Sequence, residues 1–157
     1  MESIKWTVAT GLALALSAGY TLSAFGQAKP ETLVQERQAK MKLQGKYLYA
    51  ILPMATGKIP YDANIVARNV GYLAVLTQMA WDGFDPRTES VKPTRALPEI
   101  YKDPATFKAK QDALHAEIAK LQSAVKSGKE ANIKAAISDT NKACNSCHDT
   151  FRAKEQR

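Results

Sequence analysis

Residues 142–157 read KACNSCHDTFRAKEQR. Two cysteines, Cys144 and Cys147, stand three apart, His148 follows the second, and only nine residues remain after it. The stretch has helical periodicity: from about Lys129 to Ala153, Ile133, Ile137, Cys144, Cys147, His148 and Phe151 fall on one side. One helical turn separates the cysteines, so a disulfide between them would close a tiny loop and constrain almost nothing. A thioredoxin-like redox pair would open a helix that follows a strand, and no strand pattern precedes this one. A structural zinc site takes four ligands, and beyond these three the chain offers only a distant His115. What remains for C-x-x-C-H is covalent haem c. Each thiol adds to one vinyl group of the porphyrin, and the adjoining imidazole reaches the iron from the same face. Cys144 and Cys147 are therefore the expected attachment points and His148 the proximal iron ligand.

The other end of the chain agrees with that chemistry, because c-type haem is attached outside the cytoplasm. Residues 1–26 combine Lys5, an apolar run from Trp6 to about Leu22, and small residues at Ala24 and Gly26, the pattern of a cleaved export signal. A permanent anchor would look similar, but the run is broken by Thr, Ser and Gly and falls short of the ~20 apolar residues of a membrane span. The expected organisation is a signal peptide over 1–26 and one domain over 27–157, in a chain of 157 residues that is 45% hydrophobic. The charge is +7, with 22 Lys+Arg against 15 Asp+Glu. Removing residues 1–26 takes away Glu2 and Lys5 and leaves that balance unchanged. The lysines are spread without a run of more than two and with few aromatics between them, which argues against nucleic acid and for acidic protein partners.

Upstream of the quoted stretch, three more segments show helical spacing between Pro and Gly punctuation. The first runs from Pro30 to about Leu52, stopped by Pro53 and Gly57, with an inward stripe of Leu33, Arg37, Met41, Gly45 or Leu48, and Leu52. The second starts at Asp62 and carries Val66, Val70, Leu73, Thr77 and Ala80. The third opens at Asp103 and Pro104, buries Phe107, Leu114, Ile118, Leu121 and Val125, and stops at Gly128. Residues 81–103 hold glycine and several prolines and read as one long connection, spanning the bundle end or shielding a haem edge. The expected fold is all-α, an antiparallel up-down-up-down four-helix bundle with covalent haem c.

With so little chain after His148, a sixth iron ligand must come from upstream. Met41, Met54, Met79 and His115 are the candidates. In such a bundle the C-terminal part of the fourth helix lies beside the N-terminal half of the first, which brings Met41 near the level of His148. Met54 belongs to the opposite end, Met79 sits beside its stripe, and His115 turns away from Leu114 and Ile118. Plain core packing accounts for an inward methionine as well as coordination does. Gly45, one turn after Met41, would let a flat ring approach the backbone. Arg37, one turn before, is an awkward core residue unless it meets an anion such as a haem propionate.

Three stretches, RQAKMKLQGKYLYAILPMATGKIPYDA (37–63), ALPEIYKDPATFKAKQDAL (96–114) and NKACNSCHDTFR (141–152), together resemble the cytochrome c′ family, the class II c-type cytochromes. The resemblance implies a periplasmic four-helix bundle with haem near the C-terminus, and often a homodimer built through the first two helices. It turns on position 41. Members with a non-coordinating apolar residue there keep a five-coordinate iron open to NO or CO, whereas low-spin relatives place an iron-binding methionine there. Met41 makes this chain similar to the low-spin kind. The resemblance also carries haem contact to Arg37 and Gln38, although a solvated helical residue explains Gln38 equally well. It matches the basic residue four after the haem histidine with Arg152, which also suits the end of a helix. The expected protein is a one-electron carrier for periplasmic redox proteins, not an enzyme, since no catalytic base, nucleophile pair or phosphate loop is evident. Walls built from Leu48, Val70, Leu114 and Ile137 would favour the less charged ferrous state. The alternative is a five-coordinate protein that captures NO or CO.

Overall fold

The computed structural model describes residues 28–154. The export signal expected over 1–26 lies outside the described residues. No helix among them is long and apolar enough to cross a membrane.

Among the described residues there are four long α-helices and one short one: α1 (Pro30–Ala55), α2 (Ala63–Met79), α3 (Glu99–Lys102), α4 (Pro104–Ser127) and α5 (Glu130–Phe151). Their boundaries follow from local chemistry. The carboxylate of Asp62 accepts the backbone N–H groups of Asn64 and Ile65 at 2.9 and 3.0 Å, two donors that the first turn of α2 cannot satisfy itself. Asp103 does the same for Thr106 at 3.0 Å, with Pro104 at the first position of α4. Gly128 ends α4 with φ 69°, the left-handed conformation that costs a side-chain-bearing residue most.

One expected boundary moves. Pro53 does not end α1 but sits inside its last turn, where its missing N–H removes a single hydrogen bond. The stop comes at Gly57, φ 73°, where the Lys58 N–H closes onto the Pro53 carbonyl at 2.9 Å.

Around the bundle, α1 packs on α2 and α5, and α4 packs on α2 and α5, the up-down-up-down order. Ile51, Val66, Leu73, Leu121 and Ile137 are fully buried along its axis, with Leu48, Met54, Leu114, Ile118 and Ile133 around them. Each such aliphatic side chain contributes about 1.5–3 kcal/mol on leaving water. The stripe expected on α2 is buried throughout; on α4 Phe107 and Val125 are half-buried at its ends, and on α5 Cys144, Cys147 and His148 are half-buried while Thr140 joins the buried side. On α1 the register differs: Val34 and Ile51, not Leu33 and Leu52, face inward, and Gln44 joins them. Gln44 Nε2 donates to the Leu76 carbonyl at 3.0 Å, and Asn69 Nδ2 to the Tyr47 carbonyl at 3.2 Å, so both amides join α1 to α2 instead of standing unpaired in the core.

The long connection is ordered as a strap. Two 3₁₀ turns, Trp81–Phe84 and Pro86–Thr88, lead to an extended piece and then to α3. Ala96 forms an isolated antiparallel bridge with Arg152. The Leu97 N–H donates to Phe151 O at 3.0 Å and the Ala153 N–H to Arg95 O at 2.8 Å. The strap thus lies against the residues that follow α5.

Candidate functional site

Near the strap the core opens into a cavity of about 570 Å³, within the size range of small-molecule and cofactor sites. Cys144, Cys147 and His148 of α5 line it on one side, and Arg37, Gln38, Met41 and Gly45 of α1 line it on another. All six residues expected to hold haem or its iron therefore reach one space.

The two cysteines are unbridged. Burial, and to a lesser degree the neighbouring Cys147, pushes the Cys144 thiol up to about 11. Burial also raises Cys147, against the ammonium of Lys110. His148 is pushed down to about 4, first by burial and then by the Arg152 guanidinium. Its imidazole is therefore neutral at ordinary pH, the form that coordinates a metal. His148 Nδ1 is buried and has no hydrogen-bond partner among the described residues.

The upstream candidates separate cleanly. Met41 is half-buried and lines the cavity. Met54 is packed in the bundle core. Met79 is 46% exposed and outside the lining. His115 Nε2 accepts the Trp81 indole N–H at 3.0 Å and lies 3.1 Å from the Thr77 carbonyl oxygen.

Gly45 bears on what the space holds. A Cβ built there would meet only the Tyr49 ring, at an ordinary 3.6 Å, so the surrounding protein does not require glycine. Its open side is the cavity, a cradle that a flat ring can use.

Arg37 lies between the cavity and the strap. It is 3% exposed and lines the cavity, but its guanidinium is already engaged with the strap. Nη1 donates to Gly83 O at 2.6 Å and to Thr88 Oγ1 at 3.3 Å, and Nη2 to Thr94 Oγ1 at 2.9 Å. Phe84 lies under it, 4.6 Å from ring centroid to Cζ. Gln38, exposed on the next position, donates to Pro93 O at 2.8 Å. Both residues border the cavity and both fasten its cover.

Residues 81–103 were expected to span the bundle end or shield a haem edge; the aromatic cluster that they help to build is what sequence reasoning missed. Trp81, Phe84, Phe107 and Phe151 line the cavity, with Phe107 edge-on to Phe151 at 5.2 Å and to Phe84 at 4.9 Å. Thr94, Arg95 and Ala96 add the strap's own edge. Phe107 and Phe151 were visible on their helical stripes; Trp81 and Phe84 stand in a segment with no period to reveal them. Of the expected apolar walls, Leu48 and Leu114 line the cavity, whereas Val70 and Ile137 lie in the bundle core outside its lining.

Paired thiols, a neutral imidazole and an apolar cavity on a four-helix bundle define a c-type haem protein. The profile of the family described as Cytochrome C′ matches residues 32–152. The chain belongs to the cytochrome c′ family. It is 38% identical over 128 residues to the cytochrome c′ of Alcaligenes xylosoxydans xylosoxydans, spanning 82% of this chain and 98% of that one. The crystal structure of cytochrome c′ from Rubrivivax gelatinosus superposes with a TM-score of 0.77 at 35% identity, covering 81% of this chain and 99% of the other. Variants of cytochrome c prime from Alcaligenes xylosoxidans, solved with nitric oxide and with carbon monoxide bound, match at 36% identity and TM-score 0.74, covering 82% of this chain and all of theirs.

Proteins of this family carry one covalently bound haem c with its iron. Cys144 and Cys147 would hold it through thioether bonds, and His148 would supply a nitrogen ligand to its iron. When bound, the haem supplies one-electron exchange at iron and, where a coordination position is open, diatomic gas binding.

Proposed function

We propose that this protein is an exported one-electron carrier of the periplasm in which His148 and Met41 are the two axial ligands. One observation carries the reading: of the four upstream candidates, Met41 alone lines the cavity that His148 and the two cysteines share. Imidazole on one side and thioether on the other keep coordination fixed in both oxidation states, which limits rearrangement during electron exchange. Leu48, Leu73, Leu114 and Ile118 keep water from the cavity walls and disfavour extra charge there. Among the described residues no acid–base or nucleophile pair is evident for turning over a substrate, and the proposed role is that of a carrier. Arg37 and Gln38 act in it by fastening the strap over the site. The periplasmic assignment rests on the signal pattern in residues 1–26 and on the need to attach haem c outside the cytoplasm. Redox proteins with acidic surfaces are the partners that a +7 chain would meet. A homodimer through α1 and α2 would cover the exposed side chains of Tyr72, Val75 and Met79, which recur on one face of α2.

The second reading is a five-coordinate protein that captures NO or CO, with Met41 only lining the pocket. The gas complexes of the Alcaligenes relative favour it. Absorption spectra of the purified protein separate the two. A low-spin ferrous spectrum that CO leaves unchanged supports ligation by Met41, and Met41→Ala then yields a CO-responsive spectrum. A native protein that is high-spin and takes up CO, with unchanged spectra in Met41→Ala, overturns the ligand assignment.

A further inference from the structure

The cavity is apolar inside and cationic at its exposed margin. On α1 its exposed lining residues are Gln38, Lys42, Lys46 and Tyr49, neighbouring positions on one helical face, and Arg152 reaches the margin from beyond α5. Among the described residues, no acidic side chain lines this cavity. Several helix lysines are offset by a carboxylate one turn away, as in Lys40–Glu36 at 3.1 Å, Lys120–Glu117 at 2.7 Å and Lys142–Asp139 at 2.7 Å, whereas, among the described residues, Lys110 and Lys126 of α4 are not. Lys42, Lys46 and Arg152 have no carboxylate partner among the described residues. Tyr49 is 58% exposed among these charges, its ring set over Gly45. A rigid aromatic body with a wet polar end is what protein interfaces use as an anchor.

We propose that Lys42, Lys46 and Tyr49, with Arg152 lining the same cavity, form the docking face for an acidic redox partner protein. The inference rests on the electron-carrier reading and locates its contact surface. Carboxylates on the partner face Lys42 and Lys46, and its surface closes over Tyr49. Uncompensated charge at the margin steers an anionic surface to the cavity mouth, and the steering fades beyond a Debye length of ~10 Å at 0.1 M salt. A second copy of this chain does not fit the same face, because it would set these cations against their equals.

The test uses the full, haem-loaded protein and two double reversals that change net charge equally. K42E/K46E alters the mouth, and K126E/K129E alters exposed lysines at the α4–α5 turn, the far end of α5 from Cys144. Second-order electron-exchange rates with hexacyanoferrate, an anion, and hexaammineruthenium, a cation, are measured against ionic strength. Binding of a poly-L-glutamate peptide is followed by amide chemical shifts. At low salt K42E/K46E slows hexacyanoferrate by about tenfold, speeds the cation, and weakens the peptide by a similar factor. The distal pair changes each by less than about twofold, and absorption spectra stay native in both. Peptide shifts in the native protein fall on residues 38–49, and Tyr49→Ala weakens binding without changing the salt slope. Equal effects from both pairs, or peptide shifts spread over the surface, overturn the docking face. Native protein that exchanges electrons with neither probe yet binds the peptide at the mouth refutes the carrier reading itself, and with it the redox role of this face.

Discussion

Gly83 is the residue through which the strap reaches α1. A Cβ there would stand 2.3 Å from the Arg37 Cβ and 2.8 Å from the Leu33 carbonyl oxygen, so the approach is possible only without a side chain. The same closeness lets the Gly83 carbonyl accept the buried guanidinium. Gly83→Ala is expected to destabilise the loaded protein by about 1–3 kcal/mol, the range for overfilled cores. Calorimetry would show a lower Tm, and hydrogen exchange would show faster exchange of the Thr88 N–H, which is bonded to Asp85 O. An unchanged Tm would mean that the strap can retreat at no cost. Arg37 was legible in the sequence as out of place in an apolar stripe, which pointed to a polar partner. Its observed partners, a carbonyl and hydroxyls on residues 83–94, were not legible, because a carbonyl oxygen leaves no mark in a side-chain pattern. The C-x-x-C-H cluster was legible as one group, since its spacing falls within about one helical turn, and all three side chains line the cavity.

At the scale of elements, the helices announce their ends. Asp62, Asp103, Gly57 and Gly128 each mark a boundary through a local hydrogen bond or a backbone conformation, and such signals survive without tertiary context. The register of α1 did not survive it: Leu33 beside Val34 and Ile51 beside Leu52 offer two stripes, and only packing against α2 and α5 chooses between them. The connection over 81–103 could be assigned to the bundle end or to a haem edge, but its ordered path was not legible, since that order comes from long-range ties and not from period. The Asp103 cap has a measurable pH signature. Hydrogen bonds from Thr106, side chain first and then backbone, hold its carboxyl below the usual carboxylate range. Folding lowers this pKa, so the stabilisation is present above the ordinary value and is lost as pH falls through the lowered one. Asn keeps the cap but cannot titrate. Native protein should therefore be more stable than Asp103→Asn near neutral pH, with the gap closing in strong acid. A gap that stays constant across that range would contradict the role given to the charge.

For the whole molecule, α2 carries an exposed apolar stripe of its own. The exposed stripe of α2 places Tyr72 at 45%, Val75 at 60% and Met79 at 46% exposure, and the Tyr72 ring is 4.7 Å from that of Tyr47 on α1. If a second copy covers it, sedimentation should find a dimer for the native protein and a monomer for Val75→Lys, with Tm measured at low concentration unchanged because an exposed site tolerates the substitution. A native monomer would rule the interface out. The end of the chain has a different consequence. Chain termini are usually safe places to trim or to attach a tag. Here Ala153 accepts both Arg95 Nε and Nη2, at 3.0 and 2.7 Å, from 58 residues earlier, and its own N–H returns to the Arg95 carbonyl. Shortening the polypeptide just past α5 would therefore not simply remove a loose end. It would unfasten the segment that roofs the haem pocket, and a fusion placed there would act as a mutation of the site itself.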